Sequence, residues 1–305
     1  MQATLEQSST HNNECIDKQV RELAEACERK HDLKGHCQVL KDCLVETSAE
    51  SARKQGGWLE ALAHRDDDVK WNSVINGLSE TTYSFLIRSL VDALPTNQNL
   101  VLWKKILSAS CGSCGSGNQT LLHVLNNCDR KLHLYKWRHD NVLYKLKNFI
   151  SSKLNDCDIL CDLCTENNAF LDRNVHTIPA DIFQTSLRPD IVILNRAIKS
   201  LTIIEVTIPF ESNICQAHER KAEKYSGLIA GLEEKGFACR FHSFVIGARG
   251  IAAQGSCRSI RSICKSSRME TKLFIRDLCH IVVKCSYLIF RERDNNGAMF
   301  TSIML

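Results

Sequence analysis

The sequence has no apolar run near the ~20 residues that a membrane-spanning helix needs, so no span is expected. Its opening, MQATLEQSSTHNNEC, lacks the apolar stretch of a secretory signal, and an intracellular setting, nuclear or cytoplasmic, is expected. No segment recurs at a fixed period, which excludes solenoids and propellers. Charge of one sign is not in marked excess either. A net charge of +4 permits a nucleic-acid partner without demanding one. What the chain does have is cysteine, 16 in all. In a reducing compartment these are thiols, buried as small hydrophobes or bound to metal. With 305 residues at 44% hydrophobic the chain can bury a core of its own, without a disulfide scaffold.

Residues 1–98 are helix-prone, with KQVRELAEACERKHDLK the most periodic piece. Residues 56–96 read as two or three short amphipathic helices. Ile87, Leu90, Val91 and Leu94 form a stripe that ends at Pro95. The acids of HRDDDVKW read as solvated surface. A cysteine-rich segment lies within residues 99–130, and residues 131–305 form a third region. There a helix in KWRHDNVLYKLKNFI puts His139, Leu143, Leu146 and Ile150 on one face. The stretch around Cys157, Cys161 and Cys164 reads as a linker carrying core or loop thiols. Two strands, a helix, a strand and a last helix from about residue 273 follow. The fold class expected is α/β, a mixed sheet flanked by helices.

The two strands lie in SLRPDIVILNRAIKSLTIIEVTIPF, and each carries an acid, although acids are poor strand formers and costly to bury. With the turn at 196–199, Asn195 pairs with Ser200 and Asp190 falls opposite Glu205. Opposed side chains start ~4.5–5.5 Å apart, so the two charges repel and one pKa rises. A hard divalent cation with oxygen ligands between them would relieve that. A slip of one residue would separate them. In the following helix Ala217, Lys221, Lys224, Leu228 and Leu232 share a face, which aims both lysines at the acids. Singly, each residue has an ordinary explanation. Asp190 follows Pro189 in a turn, Glu205 guards a sheet edge, and lysines snorkel. Together they suggest a site.

Cys111, Cys114, His123 and Cys128 read C-x2-C-x8-H-x4-C, a spacing suited to tetrahedral zinc. Four protein ligands leave no open position, so this zinc is expected to be structural.

In this order, LPTNQNLVLWKKI, the CCHC knuckle, WRHD, RPDIVI, IIEVTIPFE, RKAEKY and IGARG resemble the C-terminal part of a non-LTR retrotransposon polyprotein. In that family a zinc knuckle precedes a PD-(D/E)xK restriction-like endonuclease. The resemblance covers roughly residues 56–287. It implies that Asp190 and Glu205 hold catalytic Mg²⁺, that Lys221 or Lys224 is the catalytic lysine, and that Asp140 is an accessory metal contact. His139, on the apolar face, reads as a core histidine. Thr207 stands two residues after Glu205, where the simple pattern has its lysine. No aromatic-x-Asp-Asp motif is present, so residues 1–98 are expected to be a remnant downstream of a polymerase core.

Arg138 and Arg188 in these motifs, with Arg249, Arg258, Arg261 and Lys265 of the basic stretch RGIAAQGSCRSIRSICKSSRMETK, are the candidate nucleic-acid contacts. A solvated helix face is the ordinary alternative for that stretch. The activity implied is Mg²⁺-dependent nicking of DNA to prime reverse transcription. Element RNA and a polymerase-bearing element protein are further candidate partners. The alternative is a catalytically inactive or domesticated nucleic-acid-binding remnant.

Overall fold

The computed structural model describes residues 58, 61–62, 64–163 and 178–294. The helix expected in KQVRELAEACERKHDLK, and Cys164, lie outside the described residues. The chain divides into two units, residues 1–59 and 60–305, and the helices and strands of residues 71–291 all lie in the second.

Three short helices come first: α1 (Trp71–Ile75), α2 (Glu80–Leu90) and α3 (Asn97–Leu102). Side chains cap two of them. Ser79 Oγ accepts the Thr82 N–H and Thr96 Oγ1 accepts the Asn99 N–H, each satisfying a donor that the first turn leaves open. The buried face of α2 is Thr82, Phe85, Leu86 and Ser89. The expected stripe is therefore offset: Leu94 is buried but Val91 is exposed.

A long helix, α4 (Leu132–Ser151), leads to strand β1 (Asp158–Cys161), in the stretch expected to be a linker. Strands β2 (Ile191–Asn195) and β3 (Ser200–Thr207), helix α5 (Ile214–Glu234) and strand β4 (Ala238–Val245) follow. Helices α6 (Ser256–Cys264) and α7 (Arg268–Arg291) close the fold. The sheet order is β1-β2-β3-β4, with β1, β2 and β3 antiparallel and β3 parallel to β4. Helix α5 makes the crossover that a parallel pair requires. The sheet is thus mixed and flanked by helices, as expected.

Alternation along the strands divides the core. Ile191, Ile193, Ile204, Val206 and Phe244 share one cluster with Val142, Leu143, Leu146 and Ile150 of α4 and Leu278, Val282 and Ile289 of α7. Val192, Leu194, Leu201 and Ile203 share the other with Tyr225, Leu228 and Leu232 of α5. Each fully buried Ile or Leu contributes roughly 1.5–3 kcal/mol. The expected divisions at residues 98 and 130 are not breaks in packing. Val74, Phe85, Leu121, Val124 and Leu125 all belong to the first cluster.

Two charged motifs turn out to be structural. In HRDDD, Asp66 is buried rather than solvated, and its Oδ2 accepts the Cys257 N–H at 2.8 Å, capping α6. Asp68 pairs with Arg261 at 3.3 Å and with Arg268. Arg249, expected on a nucleic-acid surface, is only 4% exposed. Its Nε donates to Glu211 Oε2 at 2.7 Å and its Nη1 to Ser89 O at 3.2 Å. The Arg249 amide also donates to Glu211 Oε1. Gly247 is required beside this pair, because a Cβ there would lie 2.6 Å from Glu211 Oε1. The IPFE and IGARG motifs therefore meet in a buried ion pair.

Breaking such a pair leaves an uncompensated buried charge. Glu211→Ala is expected to lose about 3–5 kcal/mol of unfolding free energy. Glu211→Leu combined with Arg249→Met should lose much less. Urea titrations of the three proteins check this.

Candidate active site and metal centre

Two places gather groups that could do chemistry. The first is the cysteine cluster. After α3 the chain turns tightly through Gly115, whose φ of +69° suits glycine, and the Gly115 N–H donates to Cys111 O at 2.8 Å. Residues His123–Asn127 form a π-helical turn. These two turns bring Cys111, Cys114, His123 and Cys128 together, with all four ligand atoms within 4.8 Å of one another. Cys111 Sγ lies 3.9 Å from Cys128 Sγ, and Cys114 Sγ lies 3.4 Å from His123 Nε2. Tetrahedral zinc, with Zn–S about 2.3 Å and Zn–N about 2.0–2.1 Å, sets these separations near ~3.8 and ~3.6 Å. The donor set and its spacing fit a metal such as zinc. The Ser116 hydroxyl donates to Cys114 Sγ and holds that thiol down to about 6, toward the ligating thiolate. Burial instead pushes the Cys128 thiol up to about 12.

A second metal-like grouping among the described residues, Asp66, Asp68 and Cys257, is already accounted for by the α6 cap and the two arginine pairs.

The other place is the β2–β3 hairpin. Its register is the expected one, Asn195 with Ser200 through Ile191 with Ile204, which sets Asp190 opposite Glu205. The two acids are stitched across the strands by main-chain donors. The Asp190 N–H donates to Glu205 Oε2 at 3.1 Å, and the Val206 N–H donates to Asp190 Oδ2 at 2.7 Å. Glu205 has only 2% of its side chain exposed. Lys221 Nζ of α5 reaches its Oε1 at 2.7 Å, and Lys224 Nζ is 3.7 Å away. Both lysines therefore point where the helical face aimed them.

Two residues not among the expected site residues, Tyr225 and His139, complete the site. The buried Tyr225 hydroxyl lies 2.9 Å from Glu205 Oε1 and 3.2 Å from Arg188 O, and Lys224 Nζ donates to it at 3.0 Å. Its signal was the same helical face, one position after Lys224. His139, expected as a core histidine, has Nδ1 3.2 Å from Asp140 Oδ1 and Nε2 3.2 Å from Asp190 Oδ2. The WRHD motif thus joins the hairpin through His139, whose ring lies between Asp140 and Asp190. Arg188 is exposed at the rim and pairs with Asp162.

The electrostatics follow from these contacts. Burial opposes charge on His139, but the hydrogen bonds and charges of Asp140 and Asp190 outweigh it and raise its pKa to about 10. Burial pushes Asp190 up, yet His139, the Val206 N–H and Lys221 hold it below the usual carboxylate range. Glu205 sits above that range, because burial and then the Asp190 charge outweigh Lys221 and Tyr225. One acid of the pair is thus raised, by burial first and by the like charge of Asp190 second.

Asp190 and Glu205 belong to neither of the two metal-like groupings among the described residues. They do offer oxygen donors on a polar sheet face. Thr207, on the same strand face, and Ser243, which pairs with Glu205 across β3 and β4, have buried hydroxyls without a hydrogen-bond partner. An all-oxygen donor set of this kind suits a hard cation.

Of the candidate nucleic-acid contacts, Arg258 and Lys265 are exposed on and just after α6. Arg261 is partly engaged by Asp68. Arg138, like Arg249, is not at the surface where it was expected: at 2% exposure it is a core residue, donating to Ser286 Oγ and Leu125 O. Both sit on packed faces whose neighbours supply acceptors, which no local pattern announces. Among the described residues no helix is long and apolar enough to cross a membrane. The chain matches no known family model and no curated protein.

The purified chain is expected to carry one zinc per molecule by elemental analysis. Cys128→Ser should weaken zinc binding by more than the roughly 10–100-fold that outer partners alone contribute. Chelator competition checks it.

Proposed function

We propose that the chain is a Mg²⁺-dependent DNA endonuclease of the restriction-like kind, its zinc knuckle built into the same core, and that it nicks target DNA to prime reverse transcription by a non-LTR retrotransposon. The observation that carries this reading is the convergence of Asp190, at the lead-in to β2, Glu205 of β3 and Lys221 of α5, with the RPD and IEVT motifs in facing register. Asp190 and Glu205 are the residues that would hold the metal, with Asp140 beyond the His139 ring. A cation bound there supplies polarisation of the scissile phosphate and a lowered pKa for the attacking water.

The remaining chemistry belongs to the side chains. Water attacks phosphorus and gives a proton to solvent, the P–O3′ bond breaks, and the departing O3′ takes a proton from solvent, leaving a 5′ phosphate and the 3′ hydroxyl that a polymerase extends. Lys221 places an ammonium beside Glu205, where it offsets charge growing on the phosphoryl oxygens. Tyr225 fixes the Glu205 carboxylate, and His139 fixes that of Asp190. Lys224 is the more exposed of the two lysines, at 43% of its side chain. Arg188 at the rim, with Arg258 and Lys265 on the surface, suits phosphate contacts.

Supercoiled plasmid with Mg²⁺ should be relaxed by the wild type. Asp190→Ala should abolish relaxation, Lys221→Ala should slow it by about 10²–10³-fold, and Tyr225→Phe should slow it less. Equal cutting by wild type and Asp190→Ala sinks the assignment. DNA affinity should fall with salt, and replacing Arg258 and Lys265 by alanine should lower the magnitude of the log–log slope by about 1 for each phosphate no longer neutralised. A second reading, a nucleic-acid-binding remnant, is favoured by one observation: Lys221 and His139 already offset the acids. Salt-sensitive binding with no cleavage under any divalent metal selects it.

A further inference from the structure

Helix α4 holds the cysteine cluster and the hairpin at once. Tyr135, in its first turn, accepts the Cys128 N–H on its hydroxyl at 3.0 Å. The same hydroxyl lies 2.9 Å from Val124 O and 3.1 Å from His123 O. It therefore grips the π-helical turn through the main chain of two of the four ligands. Arg138, three residues on, sends Nη2 to Leu125 O at 3.0 Å and to Ile208 O at 3.5 Å. Its Nη1 donates to Ser286 Oγ at 2.9 Å, and Ser286 donates onward to Ala248 O at 2.6 Å. Asn126 Nδ2 donates to the same Ile208 O at 2.8 Å.

Ile208 is the third residue after Glu205, and Ala248 the third after the end of β4. His139 is the residue next to Arg138. One planar guanidinium therefore joins the turn that carries His123 to the exit of the strand that carries Glu205, and through Ser286 to the exit of β4. Burying a guanidinium is costly, and its rigid fork of donors is suited to bridging carbonyls from separate elements. The π-helical turn is an irregular element that its surroundings must hold in place.

We propose that Arg138 is a positioning residue that couples metal occupancy of the Cys111–Cys114–His123–Cys128 cluster to the geometry of the Asp190–Glu205 pair. With all four ligands engaged, the turn presents Leu125 O and Asn126 to Arg138 and Ile208 and fixes the end of β3. With the ligands released, the turn loosens and the strand exit loosens with it. The nicking readout rests on the proposed nuclease activity; the hydrogen-exchange readout does not.

The test uses the full chain, zinc-loaded and chelator-stripped, with far-UV circular dichroism to follow the fold. Stripping is expected to speed exchange of the Val206, Ile246 and Ala248 amides at least 10-fold with the circular dichroism unchanged. It should lower the kcat of nicking by a similar factor and leave KM within twofold. Arg138→Met should reproduce both effects in the zinc-loaded protein and bind zinc about 10-fold more weakly, as reciprocal coupling requires. Stripping it should then add little. Arg138→Lys should restore part of the loss. Asn126→Ala is the milder variant if Arg138→Met does not fold, and it should show the same changes at smaller size. Unchanged exchange at Val206 and Ile246 after zinc removal overturns the proposal. So does collapse of the whole far-UV signal, because the metal then holds the fold rather than the site. Exchange coupling without any nicking supports it while removing the nuclease reading.

Discussion

A carboxylate buried in a sheet opposite another carboxylate sets the terms for the centre of this molecule. Glu205 and Asp190 face each other across β3 and β2. Leaving them unpaired would cost several kcal/mol. The fold meets that cost with donors from every side. The Val206 and Asp190 amides come from the hairpin, Lys221 and Tyr225 from α5, and His139 from α4. The sequences of both helices are constrained by the need to deliver those groups.

The cysteine segment is joined to this centre rather than appended to it. Leu121, Val124 and Leu125 share the core with the sheet and with α4. Polar links run in parallel: Lys131 Nζ to Glu292 O, Ser113 Oγ to Arg293 O, and Gln119 Nε2 to Asp294 Oδ1. A metal held by the cluster would therefore stiffen the end of α7 and the start of α4 together. Arg138 and Arg249 make the same point from the charged side. Each looked like a phosphate contact in a motif, and each is a core residue that fastens one element to another.

The legible part of the molecule was periodic. Alternation in β2 and β3, with a four-residue turn between them, was enough to place Asp190 opposite Glu205. A helical face carrying lysines among alanine and leucines was enough to aim Lys221 and Lys224. Ligand spacing alone picked out Cys111, Cys114, His123 and Cys128. What escaped was short or context-dependent. Strand β1 is four residues, DILC, ending in a cysteine, and its pairing with β2 is a long-range fact that no local pattern carries. The acids of HRDDD looked like surface because the amide that Asp66 caps lies 191 residues further along the chain, at Cys257 in the first turn of α6.

By itself, the sequence determined the hairpin register, the helical face of α5 and the metal-ligand spacing, because each depends on a period or a count along the chain. Tertiary structure alone decided that His139 belongs to the site and that Arg138 and Arg249 do not belong to the surface. The role of a polar side chain depends on which partner packs against it, and that partner lies tens of residues away.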